Sequence, residues 1–370
     1  MRGFQRPTLL LRLAETWFRR PRAPTRAVIE LTRRCNLRCT MCQTYELEPR
    51  HELSVAELRA ILAQMPGLNW LDLTGGEIFV RKDAAELIEA ASEPRALGVL
   101  HFPTNGWFTA RVVEAVACAR ARRPDIELLI TVSLDGPPAV HDLIRGREGS
   151  FDRAIETFLQ LRAMDSVRVY VGTTITPDNV DAIDAIEAEL QRRVPDFDAR
   201  EWHWNWMQIS EHFFNNTHLA GRERPATHEL VRRHIRRRGV PRSLVDAMEL
   251  AFLVNLEFYR RGEPTGIVCQ ALRSTAFISP EGDLYPCHVY NRPVGNVRTQ
   301  SLDELWRSPA VLEARRDIEK LACGGCFTPC EAYPALAGAP VATTVQTGRR
   351  ALRLVQERLR RERTSAEHRK

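Results

Sequence analysis

No stretch of about eighteen apolar residues occurs in the 370-residue chain, so none of it reads as a membrane-spanning helix. A signal peptide is also missing: Leu9-Leu10-Leu11 is flanked by arginines, but acidic Glu15 follows and no small-residue cleavage site does. Cysteine is sparse, nine residues in all, and most of it is clustered. Without secretion signals, such clustering favours ligation of a metal or cluster in a reducing, cytoplasmic compartment over disulfides. Aromatic residues make up 7% of the chain. None is interleaved with the densest basic stretches, Arg232-Arg233-His234-Ile235-Arg236-Arg237-Arg238 and residues 349–370. Lacking a stacking platform, these stretches read as solvated helix faces, and a nucleic-acid partner is not expected. The net charge of +6 is diluted by 47 acidic residues.

What is present is an alternation of apolar runs and helical spacings. With 44% hydrophobic residues the chain can bury a large core. Continuous apolar runs read as buried parallel strands at 27–31, 69–73, 98–103, 127–134, 167–175 and 202–209. Between them, Leu58, Ile61, Leu62 and Met65 recur at helical spacing behind Ser54, a capping residue with Glu57 three positions on. Six strand–helix units predict an α/β fold, a partial (β/α)6 barrel with right-handed crossovers. The expected organisation is a basic segment at 1–25, the barrel at 26–210, a helical bridge at 211–265, a small cysteine-rich domain at 266–335 and a basic helix or tail at 336–370.

Directly after the first apolar run stands Cys35-Asn36-Leu37-Arg38-Cys39-Thr40-Met41-Cys42. Three thiolates in one short loop can hold three corners of an iron–sulfur cubane and leave the fourth iron open. A closed structural zinc site would want a fourth ligand nearby. This Cys-x3-Cys-x2-Cys loop resembles the signature of the radical S-adenosylmethionine (radical SAM) superfamily. The resemblance implies that the open iron chelates the amino and carboxylate groups of SAM, and that electron transfer then releases a 5'-deoxyadenosyl radical that abstracts hydrogen.

Further segments follow in the order of that family. Thr74-Gly75-Gly76-Glu77 is similar to the motif whose backbone and carboxylate hold the SAM amino group; a glycine pair after a strand permits close approach or positive φ. Thr104-Asn105-Gly106 and Ser133-Leu134-Asp135-Gly136 place hydroxyl, amide and carboxylate groups at the ends of predicted strands, where barrels build their sites. His141-Asp142-Leu143-Ile144-Arg145-Gly146 resembles the segment whose arginine pairs with the SAM carboxylate, a task suited to a bidentate fork. Asn179 is a candidate contact to adenosine, and Met41 stands where relatives carry a residue that packs on adenine. Cys118, on an apolar helical pattern, reads as a buried, inert thiol. In Trp202-His203-Trp204-Asn205-Trp206-Met207, alternation sends the tryptophans to one face and His203 and Asn205 to the other, so one of these faces lines the lumen.

In the last third, Cys269, the turn Pro280-Glu281-Gly282-Asp283 before Cys287, and Cys323-Gly324-Gly325-Cys326-Phe327-Thr328-Pro329-Cys330 are similar to the SPASM/Twitch extension of radical SAM enzymes. The resemblance implies one auxiliary [4Fe-4S] cluster held by four of these five cysteines, with zinc as the competing metal on spacing alone. The expectation is an oxidoreductase fed by flavodoxin or ferredoxin, with the auxiliary cluster accepting the second electron. A substrate that is a small biosynthetic metabolite is favoured, because about 25 residues ahead of the first strand leave no room for a leader-binding domain. The alternatives are a maturase that crosslinks or epimerises a ribosomally made peptide and, in another class, a metal-stabilised nucleic-acid or partner-binding protein without catalysis.

Overall fold

The computed structural model describes residues 21–47, 51–222, 228–266, 268–320 and 326–367. The expected Leu9 to Leu11 segment and Cys323 lie outside the described residues. The described residues fall into two compact units, one drawn from residues 21–222 with 270–320 and 326, the other from residues 228–269 and 327–367.

The first unit is built on one sheet, ordered β6-β5-β4-β3-β2-β1-β7-β8-β9. Strands β1 (Arg26–Thr32), β2 (Trp70–Gly75), β3 (Val99–Thr104), β4 (Glu127–Ser133), β5 (Val167–Ile175) and β6 (Trp202–Trp206) run parallel, separated by helices, as a partial barrel requires. The first of these helices, Val55–Ala63, carries the expected capping box of Ser54 and Glu57. β6 stops at Trp206, short of the expected Ile209. Alternation gives the sheet two unlike faces. One presents Ile29, Leu31, Leu71, Leu73, Leu100, Phe102, Leu128, Ile130, Val132, Val171, Trp202 and Trp204, all nearly inaccessible, to the helical layer. The other carries Arg26, Glu30, Asp72, His101, Thr131, Tyr170 and His203, and faces the lumen. Polar contacts tie these residues across neighbouring strands: Arg26 to Asp72 at 2.7 Å, Asp72 to His101 at 2.9 Å and His101 to Thr131 at 3.0 Å, with His203 stacked on Tyr170 at 4.0 Å.

The hairpin β7 (Thr275–Ile278) and β8 (Asp283–Tyr285), with β9 (Gly295–Asn296), continues this sheet. β7 runs parallel to β1, with Ala276 opposite Ala27 and Ile278 opposite Ile29. The turn residues that mark the hairpin carry no information about the edge it joins. Pairing covers the outer backbone of β1, which would otherwise be left as an open edge.

The second unit is helical: His228–Arg238, Leu244–Arg260, Pro329–Gly338 and Pro340–Glu367. Phe252 stacks on Phe327 at 5.2 Å. Within the run read as a solvated basic face, Arg232, His234 and Arg238 are buried. Arg232 bonds Glu257 and Glu357, acids contributed by two other helices, which compensate its desolvation. No helix among the described residues is long and apolar enough to cross a membrane.

Candidate functional site

The cysteine loop leaves the end of β1 and is clamped from two sides. On one, Gly76 N donates to Thr32 O and Glu77 N to Arg34 O. A Cβ on Gly75, whose φ is +135°, would lie 2.2 Å from Thr32 O, and one on Gly76 would lie 2.3 Å from Arg34 O. The glycine pair therefore makes room for the chain's own backbone as it enters the loop. On the other side, Arg38 N donates to Arg145 O and Thr40 N to Ile144 O, at the end of the helix Pro138–Arg145. Gly146 closes that helix at φ +66°, and a Cβ there would meet Arg38 O at 2.5 Å. Gly146→Ala is expected to lower stability by about 2 kcal/mol or more, the left-handed conformation and the overlap adding. Gly149→Ala, at φ +77° with nothing within 4 Å of its Cβ, is the control: about 1–2 kcal/mol from conformation alone. Thermal unfolding of the two variants checks the difference.

The three sulfurs share one apolar pocket with Leu37, Met41, Ile144, Met207 and Leu219. Cys39 is buried, and Cys35 and Cys42 are half-buried. Burial pushes the Cys35 thiol up to about 11 and that of Cys42 up to about 12, and raises Cys39 as well. Three thiolates held together in such surroundings need a metal's positive charge, which deprotonates them outright. Among the described residues no three Cys, His, Asp or Glu side chains converge on a single ion. Three sulfurs from one loop are soft donors suited to iron and sulfide, so the donor set fits an iron–sulfur cluster with one corner left to an outside ligand. Two groups point at the sulfurs: Arg145 Nη1 lies 3.8 Å from Cys39 Sγ, and Asn105 Nδ2 lies 4.0 Å from Cys35 Sγ.

Glu77, Thr104 and Asn105 meet as one buried group. The Glu77 carboxylate accepts from Asn105 N at 2.7 Å, Phe79 N at 3.2 Å and Thr104 Oγ1 at 3.1 Å. Burial outweighs these donors and pushes its acid up to about 7. Asp135, inaccessible at 0% exposure, pairs with Arg145 at 2.6 Å and accepts from Thr174 N at 2.8 Å. Its acid is raised by burial, against the pull of Arg145. Ser133 stands half-buried at the end of β4, opposite Gly172 of β5.

Other residues lie elsewhere than the alternation and motifs suggest. Asn179 is 1% exposed. Its Nδ2 donates to Asp135 O and Thr174 O, and its Oδ1 accepts from Thr176 N, so the side chain is spent on pinning the turn after β5 rather than facing a nucleoside. Cys118 is exposed, because the buried stripe of its helix runs through Val112, Ala115, Val116 and Ala119 and passes it by. Of the β6 faces, the tryptophans join the core, and His203 and Asn205 occupy the half-open lumen side. Met41 is buried, and its carbonyl accepts from Asn216 Nδ2 at 2.9 Å. Asn216 and the row of Arg26, Asp72, His101 and Thr131 escaped notice in the sequence; for the row, the signal was a single polar residue at or within each of four apolar runs, and Asn216, outside any strand, gave none. Cys269, Cys287, Cys326 and Cys330 are each half-buried.

Comparison with known proteins agrees with this geometry. The radical SAM superfamily model matches residues 29–189, and the model of the SPASM iron-sulfur cluster-binding domain matches residues 269–327. The chain belongs to the radical SAM superfamily. It carries the SPASM extension, and its cofactors are SAM and [4Fe-4S] clusters. It is 26% identical over 327 residues to the antilisterial bacteriocin subtilosin biosynthesis protein AlbA of Bacillus subtilis, covering 82% of this chain and 67% of that one. It is 25% identical over 343 residues to the AdoMet-dependent heme synthase of Nitratidesulfovibrio vulgaris, covering 84% and 85%. The PqqA peptide cyclase of Xanthomonas axonopodis pv. citri matches at 26% over 327 residues, covering 82% and 80%. In fold the chain is similar to Streptococcus suis SuiB bound to S-adenosylmethionine, with a TM-score of 0.57 and 16% identity over 79% of this chain and 68% of that one.

Proposed function

We propose that this radical SAM enzyme oxidises a side chain of a ribosomally made peptide, using a hydrogen-abstracting radical made from SAM. The observation that carries the reading is a three-sulfur donor set from one loop, clamped at the end of β1 beside a half-open lumen wall of polar side chains. Relatives matched over more than four-fifths of this chain, among them a peptide cyclase, support a peptide as substrate.

Bound, the cluster and SAM supply one-electron cleavage of a sulfonium bond and hence hydrogen abstraction. The chain's own residues do the holding. Cys35, Cys39 and Cys42 ligate. Arg145 brings a positive charge and Asn105 an amide N–H beside the sulfurs. Glu77, fixed by Thr104 and Asn105, takes the amino N–H groups of SAM. Ser133 and the Asp135–Arg145 pair border the site from β4. In the lumen, Asp72 orients His101, whose ring is 27% exposed, and His203 and Asn205 complete the wall that meets substrate. The SPASM domain supplies donors for an auxiliary cluster, the exit for the second electron that a net oxidation releases.

A second reading is favoured by the heme synthase match, which spans 85% of that protein: the substrate is a tetrapyrrole, a small biosynthetic metabolite. The same assay separates the two. Anaerobically reconstituted protein with dithionite and SAM is expected to form 5'-deoxyadenosine, and Cys35→Ala to form none. Iron near eight atoms per chain is expected for two [4Fe-4S] clusters; about four, with zinc bound, overturns the auxiliary cluster. A precursor peptide that loses two hydrogens, with deuterium from a labelled side chain appearing in 5'-deoxyadenosine, is the result expected of the peptide reading. Decarboxylation or oxidation of a carboxylated porphyrin, with peptides left intact, overturns it.

A further inference from the structure

The helix Pro340–Glu367 has one face that its own unit holds and another that it leaves open. On the held face, the Gln346 amide donates to Thr265 O, Thr347 Oγ1 accepts from Asn255 Nδ2 at 3.0 Å, and Glu357 pairs with Arg232 at 2.6 Å and Arg261 at 3.0 Å. On the open face, Val341, Val345, Leu352, Val355 and Leu359 leave between 48% and 77% of their surface exposed. Nine large apolar side chains are exposed among the described residues, so more than half of them lie on this one helix. Their spacing is regular. Counting Gly348, where a Cβ would meet nothing within 4 Å, the row advances by four, three, four, three and four residues from Val341 to Leu359. At about 100° per residue the row occupies about 80° of the helix circumference. That is the narrow seam of a coiled coil, not the broader stripe of a helix resting on a core. Arg349 and Arg358 border the seam on either side, and Arg353 and Arg360 stand further out. All four are exposed, and no exposed position from 341 to 360 is Asp or Glu. Of the four, Arg353 is paired with Glu263 and Glu357, on the side away from the seam.

We infer that this seam docks an acidic amphipathic helix of a partner polypeptide, with apolar residues at the same spacing and Asp or Glu beside them. The inference does not depend on which substrate the barrel oxidises. Spacing selects a helix as the occupant. A helix lying in a membrane surface inserts a broad apolar face, often with Trp or Phe, whereas this row is narrow and wholly aliphatic. Charge selects the kind of helix. A second copy of this chain would set basic flank against basic flank, and like charges at those positions repel. Carboxylates on a partner would instead meet Arg349 and Arg358 across the seam, speeding encounter and fixing register. The aliphatic row supplies the area to be buried, and the anchored face holds it in place beforehand, so little order is lost on docking.

The test uses the full-length protein and two synthetic helical peptides of three heptads with Leu at both seam positions, one carrying Glu on its flanks and the other Lys. The Glu peptide is expected to bind saturably with a Kd below about 10 μM, more weakly as ionic strength rises. The Lys peptide is expected to bind at least about tenfold more weakly. Leu352→Asp and Val355→Asp are expected to weaken the Glu peptide about tenfold or more, with thermal midpoints within about 2 °C of the parent because both side chains are exposed. Gly348→Leu fills the gap in the row and is expected to tighten it about threefold or more. Equal affinity for the two peptides overturns the inference, as does a Glu-peptide affinity that Leu352→Asp leaves unchanged. Binding to vesicles containing anionic phosphatidylserine that Leu352→Asp abolishes, with no binding of the Glu peptide, assigns the seam to a membrane surface and overturns it. A dimer in sedimentation that Leu352→Asp dissociates, again with no binding of the Glu peptide, assigns it to a second copy and overturns it equally.

Discussion

Arg145→Met is expected to destabilise the barrel unit by about 3–5 kcal/mol, because it leaves a buried carboxylate without its cation. Asp135 is inaccessible, and the ion pair at 2.6 Å is its main compensation beside one backbone donor, Thr174 N. The penalty has a pH signature. Asp135 is already raised by burial, and losing Arg145 raises it further. A carboxyl whose folded-state acidity is weakened contributes stability at low pH and loses it as pH rises through its folded value. The variant should therefore fall furthest behind the parent above neutral pH and recover part of the loss in acid. Asp135→Asn in the same chain keeps an acceptor for Thr174 N and removes the orphaned charge, so the double variant is expected to be more stable than Arg145→Met alone. Urea midpoints for the four proteins of the cycle, taken at pH 5.5 and 8, read the coupling directly. Additive losses with no pH dependence would mean that the pair is not what holds these residues in place.

The six parallel strands were legible because the face packed against the helices supplies a buried apolar residue at every second position, such as Leu128, Ile130 and Val132, between helical spacings. The loop from Cys35 to Cys42 was legible because its donors are close in sequence. What escaped the sequence depends on distant partners. Nothing local in Arg232 to Arg238 announces that Glu257 and Glu357 will neutralise Arg232, so the run looked solvated. The hairpin around Asp283 declares its turn but not that β1 is its neighbour. Gly75 and Gly76 looked like space for a ligand, whereas the contacts that demand glycine are with Thr32 and Arg34 of the chain itself. Asn179 failed for a related reason. An amide at the end of a strand is equally suited to a ligand and to the turn it sits in, and only its hydrogen bonds to Asp135, Thr174 and Thr176 decide between them.

SAM binding is expected to release about half a proton more from the cluster-loaded parent at pH 7 than from Glu77→Gln. The Glu77 carboxyl, buried and pushed up to about 7, is about half protonated there. To accept N–H bonds from the amino group of SAM it must be fully ionised, so the proton leaves as the ligand arrives. Below pH 7 each unit of acid then costs the parent about a further factor of ten in affinity from this group, and the Gln variant lacks that component. Because the folded value lies above the ordinary 4.5, the ligand-free fold loses Glu77's share of stability as pH rises from there through 7. An N–H donor from the ligand offsets that loss, which is why a carboxylate already given three donors by Phe79, Thr104 and Asn105 still gains from a further one. The variant is also expected to bind SAM about ten- to a hundredfold more weakly at pH 8, the worth of a charge-assisted hydrogen bond of about 1.5–3 kcal/mol. Calorimetry in two buffers of different ionisation enthalpy measures the proton count, and comparison with the variant removes the contribution of the SAM amino group itself. Equal proton release from parent and variant would show that Glu77 remains protonated beside the ligand and serves only to hold Thr104 and Asn105.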